Sequence, residues 1–264
     1  MSAVREDVEL LAVASRAARA AGELLRGARV EQIRSKTTAT DLVTEWDARS
    51  EETIRAVLGE TGIPVLGEEG GLSGPGGGAT RWIVDPIDGT VNFAHGLPLW
   101  CVSIALERAG AIAVAVVTAP RLDWWFEATR GGGARDGEGR PLRVSECSSL
   151  GRALLATGFP YDCATRADNN FAEWQHLYTR AGACRRLGAA ALDLCLVARG
   201  WLDGYWERNI APWDMAAGVL IAVEAGGTVT NTRGGPFELH SGEVAASNGA
   251  IHSELITELA RVRT

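Results

Sequence analysis

The sequence predicts a layered fold of the α+β or α/β type, in which helices cover two β-sheets. In the first half of the chain, helical segments precede strand-like runs joined by short turns, a pattern typical of helices packed on a largely antiparallel sheet. In the second half, short strands alternate with helices, which is typical of helices that cover both faces of a sheet. We therefore expect a single unit of 264 residues with approximate halves at residues 1–145 and 146–264.

The N-terminal segment begins with an amphipathic helix. Apolar residues recur at helical spacing over Val4–Gly27, and a glycine ends the pattern. A second helix is predicted over Asp41–Leu58, with Asp41–Thr44 as its lead-in, and a short buried strand over Ile63–Gly67. The glycine-rich stretch Gly70–Ala79 that follows is either a plain surface loop or a mobile flap beside a site.

Strands and helices of the remaining chain follow from residue type and periodicity. Strands are predicted at Arg81–Asp85, Leu99–Glu107, Ala111–Thr118 and Trp124–Ala128, with a glycine-rich turn over Gly131–Pro141. Further strands are predicted at Leu154–Thr157, Arg186–Leu187, Leu202–Trp206, Gly227–Asn231 and Val244–Ser247. The helices between and after them are expected at Asp168–Gly182, Ala189–Ala198, Pro212–Ala225 and His252–Val262.

Composition and charge exclude several classes of protein. The net charge of −7, from 26 basic and 33 acidic residues, argues against a nucleic-acid-binding protein. The longest apolar run, Ala109–Val117, is far shorter than the roughly 18 residues of a membrane span. The acidic N-terminus does not resemble a signal peptide, and five widely spaced cysteines contain no zinc-type pair. These features predict a cytoplasmic protein with reduced thiols and no membrane partner.

Carboxylates carry the main chemical signal of the sequence. Glu68 and Glu69 follow one predicted strand, Asp85 ends the next, Asp88 comes shortly after it, and Asp214 lies at a predicted helix start. If these acids converge, their mutual repulsion must be relieved, either by protonation or by hard cations. Oxygen ligands with no histidine or cysteine among them suit Mg²⁺.

The segment Asp85–Thr90 has features of a combined metal and phosphate site. Pro86 holds the residue before it extended, so that both aspartates can face one point, and the carbonyl of Ile87 can join them. Gly89 permits a close approach of the backbone, and Thr90 begins a helix whose free N–H groups suit an anion. Metal and phosphate at one place indicate phosphoryl transfer. Each motif alone also fits a turn, a solvated surface or a helix cap, but together and in this order they favour an active site.

Longer motifs make nearly the whole chain resemble the inositol monophosphatase family of Mg²⁺-dependent, lithium-sensitive sugar phosphatases. The resemblance rests on Gly67–Glu69, Trp82–Phe93, and Pro212–Gly218 followed by Glu224–Gly227. The stretches Asp41–Asp47, Arg186–Asp193 and Tyr205–Glu207 fit as well, and so does Lys36, the only lysine of the chain. The resemblance implies an αβαβα five-layer sandwich that forms a homodimer.

The resemblance also implies a ligand set for two or three Mg²⁺ ions per subunit. The first ion would be held by Glu68, Asp85 and the carbonyl of Ile87. The second would be held by Asp85, Asp88 and Asp214, and a weaker third would lie near Glu68 through water. A metal-activated water would attack the phosphate, oriented by Thr90 and Asp47 with Glu69 assisting.

The same resemblance assigns substrate contacts to Asp88, Gly89, Thr90, Gly188, Ala189, Ala190, Glu207 and Asp214. One departure is Ala189, because many relatives carry a hydroxyl residue there. We expect hydrolysis of a small polyol monophosphate, myo-inositol 1-phosphate being the first candidate. Histidinol phosphate and fructose 1,6-bisphosphate are the alternative substrates. A non-catalytic binding or regulatory protein is the alternative of a different class.

Overall fold

The structure is a computed structural model that describes residues 3–30, 33–36, 41–74 and 78–262. Its helices are α1 (Ala3–Arg26), α2 (Glu45–Leu58), α3 (Thr90–Ala94), α4 (Phe171–Tyr178), α5 (Ala190–Ala198), α6 (Pro212–Glu224) and α7 (His252–Ala260). None of the helices in this part of the chain combines the length and hydrophobicity that crossing a bilayer requires.

The strands form a large sheet, a small sheet and a short two-stranded ladder. The ladder pairs β1 (Ile33–Ser35) with β2 (Leu42–Thr44). The large sheet contains β3 (Val65–Gly67), β4 (Gly71–Ser73), β5 (Thr80–Asp88), β6 (Cys101–Arg108), β7 (Ala111–Ala119), β8 (Trp124–Thr129) and β9 (Gly133–Asp136). The small sheet contains β10 (Leu154–Thr157), β11 (Ala183–Arg185), β12 (Gly204–Arg208), β13 (Thr228–Thr230) and β14 (Glu243–Ser247).

Both sheets are mixed. The seven-stranded sheet has the order β4-β3-β5-β6-β7-β8-β9 and is antiparallel except where β3 runs parallel to β5. The five-stranded sheet has the order β11-β10-β12-β14-β13, with β10 parallel to both neighbours and β14 antiparallel to both of its own. The first half of the chain thus forms the largely antiparallel sheet, and in the second half strands alternate with helices.

Helices and sheets alternate in the order α–β–α–β–α, which confirms the expected sandwich. Helices α1 and α2 cover the outer face of the large sheet, α5 and α6 lie between the sheets, and α4 and α7 cover the small sheet. Three hydrophobic clusters fill the spaces between the layers: one lies under each outer helix layer, and the third surrounds the middle helices and reaches both sheets. Because a middle layer is covered on both sides, its helices are apolar on every face. In α5 every residue from Ala191 to Ala198 is buried, with Asp193 as the one charged exception to its apolar composition.

Three predicted segments are wrong in detail. Asp41–Thr44 is not a helical lead-in, because β2 occupies most of it and pairs with β1. The predicted loop Gly70–Ala79 contains β4, which pairs with β3, while residues 75–77 lie outside the described part of the chain. The predicted turn Gly131–Pro141 contains β9, which closes the edge of the large sheet against β8. Each of these strands has only three or four residues, which is too short to show a clear periodicity of its own.

Two elements of the second half are displaced from their predictions. The strand predicted at Arg186–Leu187 lies just before that position, as β11, where it pairs with β10. Helix α4 begins only at Phe171 because Asn170 before it has a left-handed φ of 68°. The Asn170 side chain instead bonds to Thr157 and Trp206 inside the core.

The middle layer depends on a close helix crossing at Gly218 of α6. A Cβ added there would lie 2.6 Å from the Cβ of Leu194 and 3.0 Å from the carbonyl of Ala191 on α5. These distances are shorter than van der Waals contact, so the two helices can lie this close only because residue 218 has no side chain.

We predict that Gly218→Ala lowers the free energy of unfolding by about 1–3 kcal/mol, because overpacking outweighs the better helix propensity of alanine. Chemical denaturation measures this. Gly59→Ala is the matched control, since Gly59 is helical with φ −58° and its added Cβ meets nothing within 4 Å. The control should be neutral or stabilising by up to about 1 kcal/mol. An unchanged stability of Gly218→Ala would show that α5 and α6 can separate freely.

Candidate active site

A pocket of about 320 Å³ opens where the two sheets and the middle helix layer meet. Its wall is formed by the end of β5, the start of α3, the N-terminal ends of α5 and α6, and the end of β12. Acidic residues dominate the lining: Asp41, Glu68, Asp85, Asp88, Asp193, Glu207 and Asp214. Among the described residues, the basic ones in the lining are Lys36 and Arg186.

Three of these carboxylates form one cluster. Asp85, Asp88 and Asp214 each place an oxygen within 4.8 Å of the other two. Residues three apart in a regular strand point to opposite faces, so Asp85 and Asp88 would normally diverge. The register of β5 against β6 shifts between them, and this irregularity turns both side chains toward the pocket. The expectation that the two aspartates face one point is therefore confirmed, although β5 continues to Asp88 rather than ending at Asp85.

Backbone amides fix Asp85 and Asp214. The N–H of Ile87 donates to Asp85 Oδ1 at 2.9 Å. The N–H of Ala211 donates to Asp214 Oδ2 at 2.8 Å, so Asp214 helps to cap its own helix. Both carboxylates are thus oriented before any ligand arrives.

Asp88 is held by a helix from the other half of the chain. Its Oδ1 accepts the N–H of Ala190 at 3.1 Å, and its Oδ2 accepts the N–H of Ala191 at 2.7 Å. The N-cap residue of α5, Ala189, has no side-chain group that could satisfy these donors. Asp88 therefore takes the capping role that a hydroxyl residue at position 189 would share.

Burial and mutual repulsion disfavour the charged forms of these groups. Burial, followed by the neighbouring carboxylates, raises the pKa of Asp85 and of Asp88 well above the usual range. Burial likewise raises the pKa of Asp214 to about 7. It also raises the pKa of Glu68 to about 7, although Lys36 opposes the shift. The chain alone does not neutralise this cluster, which is the electrostatic environment that a bound cation relieves.

Lys36 is engaged by the glutamate pair next to the cluster. Its Nζ lies 2.7 Å from Glu68 Oε1 and also bonds to Glu69 Oε1. Burial lowers the pKa of Lys36, but the two carboxylates outweigh burial and raise it overall. Because one ammonium serves two carboxylates, negative charge remains on this side of the pocket.

Thr90 connects the pocket to Asp47, which lies behind it on α2. The Thr90 hydroxyl lies 3.1 Å from Asp47 Oδ1 and 3.0 Å from the carbonyl of Ile87. Asp47 Oδ2 accepts from the Thr44 hydroxyl at 2.7 Å and from the Thr44 N–H at 2.8 Å. A direct hydrogen bond thereby links the Asp47 carboxylate, behind the pocket, to the Thr90 hydroxyl on the pocket wall.

Glu207 forms the opposite wall. The Tyr205 hydroxyl donates to its Oε2, and burial raises the pKa of Glu207 to about 7. A side chain at residue 158 would overlap this carboxylate, so Gly158 packs directly on it. The loop that contains Gly158 and continues to Tyr161 therefore lines the pocket, although its sequence follows no recognisable motif.

The structure brings most of the predicted site residues to the pocket wall. Those in the lining are Glu68, Asp85, Ile87, Asp88, Gly89, Thr90, Gly188, Ala189, Ala190, Glu207 and Asp214. Asp47 and Glu69 lie outside the lining and reach it through Thr90 and Lys36.

Four charged lining residues were not predicted as site residues from the sequence: Lys36, Asp41, Arg186 and Asp193. Asp193 has one buried oxygen, Oδ1, without a hydrogen-bond partner among the described residues, and burial raises its pKa well above the usual range. Its signal was present, because it is the one acid in the apolar sequence of α5. Arg186 carried no such signal, since arginine makes up all but one of the 26 basic residues.

Comparison with known proteins places this pocket in context. The inositol monophosphatase family model matches residues 6–264. An inositol-1-monophosphatase of Synechocystis sp. is 44% identical over 235 residues, which cover 88% of this chain and 81% of that protein. The Nus factor SuhB of Pseudomonas aeruginosa is 42% identical over 260 residues, or 95% of each chain.

Solved structures agree with the sequence relatives. The inositol monophosphatase from Anabaena (Nostoc) sp. PCC 7120 superposes with a TM-score of 0.87 at 40% identity, over 95% of each chain. The match of the family model over nearly the whole chain, the relatives and the shared fold lead to one conclusion. The chain belongs to the inositol monophosphatase family, whose members are phosphoric monoester hydrolases.

Proposed function

We propose that the protein hydrolyses a small polyol monophosphate in a Mg²⁺-dependent reaction, with myo-inositol 1-phosphate as the substrate. The observation that carries the proposal is the buried cluster of Asp85, Asp88 and Asp214 beside Glu68. The substrate is supported by the relative from Synechocystis sp., which is named an inositol-1-monophosphatase. The sequence expectations of a cytoplasmic homodimer that Li⁺ inhibits remain predictions.

The donor set fits Mg²⁺. All three cluster side chains are oxygen donors, they converge within 4.8 Å, and the nearest ammonium is already engaged by Glu68 and Glu69. Glu68, Asp85 and the Ile87 carbonyl would hold one ion, and Asp85, Asp88 and Asp214 a second; a third would lie beside Glu68. Bound there, Mg²⁺ neutralises phosphate charge and lowers the pKa of water.

Thr90 and Asp47 supply the proton path. The Thr90 hydroxyl has one proton, which it directs at Asp47 or the Ile87 carbonyl, so its lone pairs can accept a hydrogen bond from a water in the pocket. Burial raises the pKa of Asp47, which makes its carboxylate a stronger proton acceptor than that of an exposed aspartate. Glu69, held by Lys36, would assist from the other side.

The substrate lies between the cluster and Glu207. Backbone N–H groups at Gly89 and Thr90 would bind the phosphate, and Gly89 has the positive φ of 89° that this corner needs. The carboxylate of Glu207 would accept hydrogen bonds from ring hydroxyls, next to the backbone of Gly188, Ala189 and Ala190. Asp88 and Asp214 would face the substrate from the cluster side.

The position of Arg186 supports a second candidate function, the hydrolysis of fructose 1,6-bisphosphate. Of the two basic residues in the described lining, Lys36 is held by glutamates, whereas Arg186 has no carboxylate within ion-pair distance among the described residues. A guanidinium at the alcohol side of the pocket suits a second phosphate.

We predict that a substrate panel distinguishes the candidates. Phosphate release is measured with Mg²⁺ and inositol 1-phosphate, fructose 1,6-bisphosphate or histidinol phosphate, for the natural protein and for Arg186→Ala. Preference for inositol 1-phosphate, little changed in the variant, supports the proposal. A preference for the bisphosphate that falls about tenfold or more in Arg186→Ala supports the second candidate. Release from none of them would favour the non-catalytic role, which the SuhB-named relatives keep open.

Asp85→Asn should lower kcat/KM by more than about a hundredfold, because it removes an oxygen donor from both proposed ion sites. Phosphate release at saturating Mg²⁺ is the measurement. Asp136→Asn is the matched control, since Asp136 is a buried aspartate of the same sheet outside the pocket. Near-normal turnover of Asp85→Asn would refute the ligand assignment.

Glu207→Gln should raise KM for a polyol monophosphate about tenfold with a smaller fall in kcat. A hydrogen bond to a charged acceptor is worth about 1.5 kcal/mol or more, which corresponds to that factor. The assay is run at about pH 8.5, above the raised pKa of about 7, so that Glu207 is ionised. Glu173→Gln, at a buried glutamate paired with Arg208 outside the pocket, is the control. A loss confined to kcat would assign Glu207 to catalysis instead.

A further inference from the structure

A buried carboxylate on α2 holds the corner that carries the glutamate pair. Glu51 is buried, and its Oε2 accepts the N–H of Glu69 at 2.8 Å. Its Oε1 accepts the N–H of Gly70 at 2.8 Å and the Nε–H of Arg55 at 2.8 Å. Both oxygens of Glu51 are therefore used, and two of their three bonds go to the backbone between β3 and β4.

Arg55 binds the two strands on either side of that corner. Its Nη1 donates to the carbonyl of Val65 on β3 at 3.1 Å and also to the Ser73 hydroxyl on β4. Its Nη2 donates to the carbonyl of Gly71 on β4 at 2.6 Å. Glu51 and Arg55 are four residues apart on one helix face, and the planar guanidinium presents several donors in fixed directions. The Glu51–Arg55 pair thus binds the whole β3–β4 hairpin to α2.

The backbone of the hairpin is packed tightly against this pair. A Cβ added to Gly67 would lie 2.6 Å from Arg55 Nη2 and closer still to the Glu51 carboxylate. A Cβ added to Gly70 would lie 2.7 Å from Glu51 Oε1. The two glycines that flank the glutamate pair are therefore needed for this contact, which explains their positions in the sequence.

The consequence reaches the pocket through Glu68. Glu68 lines the pocket beside the cluster of Asp85, Asp88 and Asp214, and ionised carboxylates repel one another, so its position has to be held by other contacts. Lys36 binds Glu68, but the same ammonium also binds Glu69. We propose that the Glu51–Arg55 pair is a positioning pair, which keeps Glu68 at the pocket against this repulsion and so sets the affinity for divalent cations. The inference rests on the proposed function, because it needs Glu68 to be a cation ligand.

The test is Mg²⁺ binding measured by titration calorimetry on the substrate-free protein. Glu51→Gln places an amide NH₂ against one of the backbone N–H donors, so the corner loses at least one of its bonds. We expect Mg²⁺ affinity to fall about tenfold or more, as for other groups that orient metal ligands. Arg55→Lys keeps the positive charge but removes the several guanidinium donors that bind the hairpin. It should also weaken Mg²⁺ binding, and it is the second variant to measure if Glu51→Gln fails to fold. Unchanged affinity in either folded variant would overturn the inference.

A matched ion pair separates positioning from general stability. Arg81 on β5 and Glu107 on β6 form a similar pair within the large sheet, with Nε and Oε2 2.7 Å apart and Glu107 buried, away from the pocket. Glu107→Gln should lower the melting temperature in EDTA as much as Glu51→Gln does, while leaving Mg²⁺ affinity within about twofold. An equal loss of affinity in Glu107→Gln would also overturn the positioning role. If the natural protein itself does not bind Mg²⁺, the proposed function fails, and the inference with it.

Discussion

Repulsion between buried carboxylates is the main physical constraint that this fold has to satisfy. Asp85, Asp88 and Asp214 converge within 4.8 Å, and Glu68 adds a further acid from a neighbouring strand. In a low-dielectric pocket like charges at this distance cost several kcal/mol, and burial removes the water that would screen them. Such a cluster persists in a folded protein only when the rest of the structure holds it in place and its charge is compensated, either by protons or by a bound cation. The raised pKa values of all four groups express the same imbalance.

Contacts within a single element orient Asp85 and Asp214, whereas Asp88 and Thr90 are held by contacts between elements. Asp88 comes from the large sheet but is bonded to the N-terminus of α5, in the middle layer. Asp214 is fixed by the first turn of α6, and Thr90 is bonded to Asp47 on an outer helix. The pocket therefore lies where sheet edges and helix starts from several layers meet. The packing that stabilises the middle helix layer therefore also fixes the positions of the site residues.

Local pattern was enough to predict the elements and the acids that follow them, because Asp85 and Asp88 share one short segment and the long strands and helices have clear periodicity. It was not enough for the short edge strands β4, β9 and β11, because three or four residues show too little periodicity to be recognised. The bond from Asp88 to α5 joins residues about a hundred positions apart, so no local pattern contains it. The resemblance implied the ligand set, but it gave no role to Arg186 and no usable pattern for the loop around Gly158, both of which line the pocket in the assembled fold.

The most direct test of the central claim is anomalous diffraction from crystals grown with Mn²⁺, an oxygen-preferring ion that can replace Mg²⁺. The arrangement described above predicts anomalous density in contact with the carboxylates of Asp85, Asp88 and Asp214, and a peak bounded by Glu68 and the Ile87 carbonyl. Density at neither place in a well-ordered pocket, with the carboxylates still converged, would contradict the account, because the repulsion would then be relieved by protons rather than by a cation.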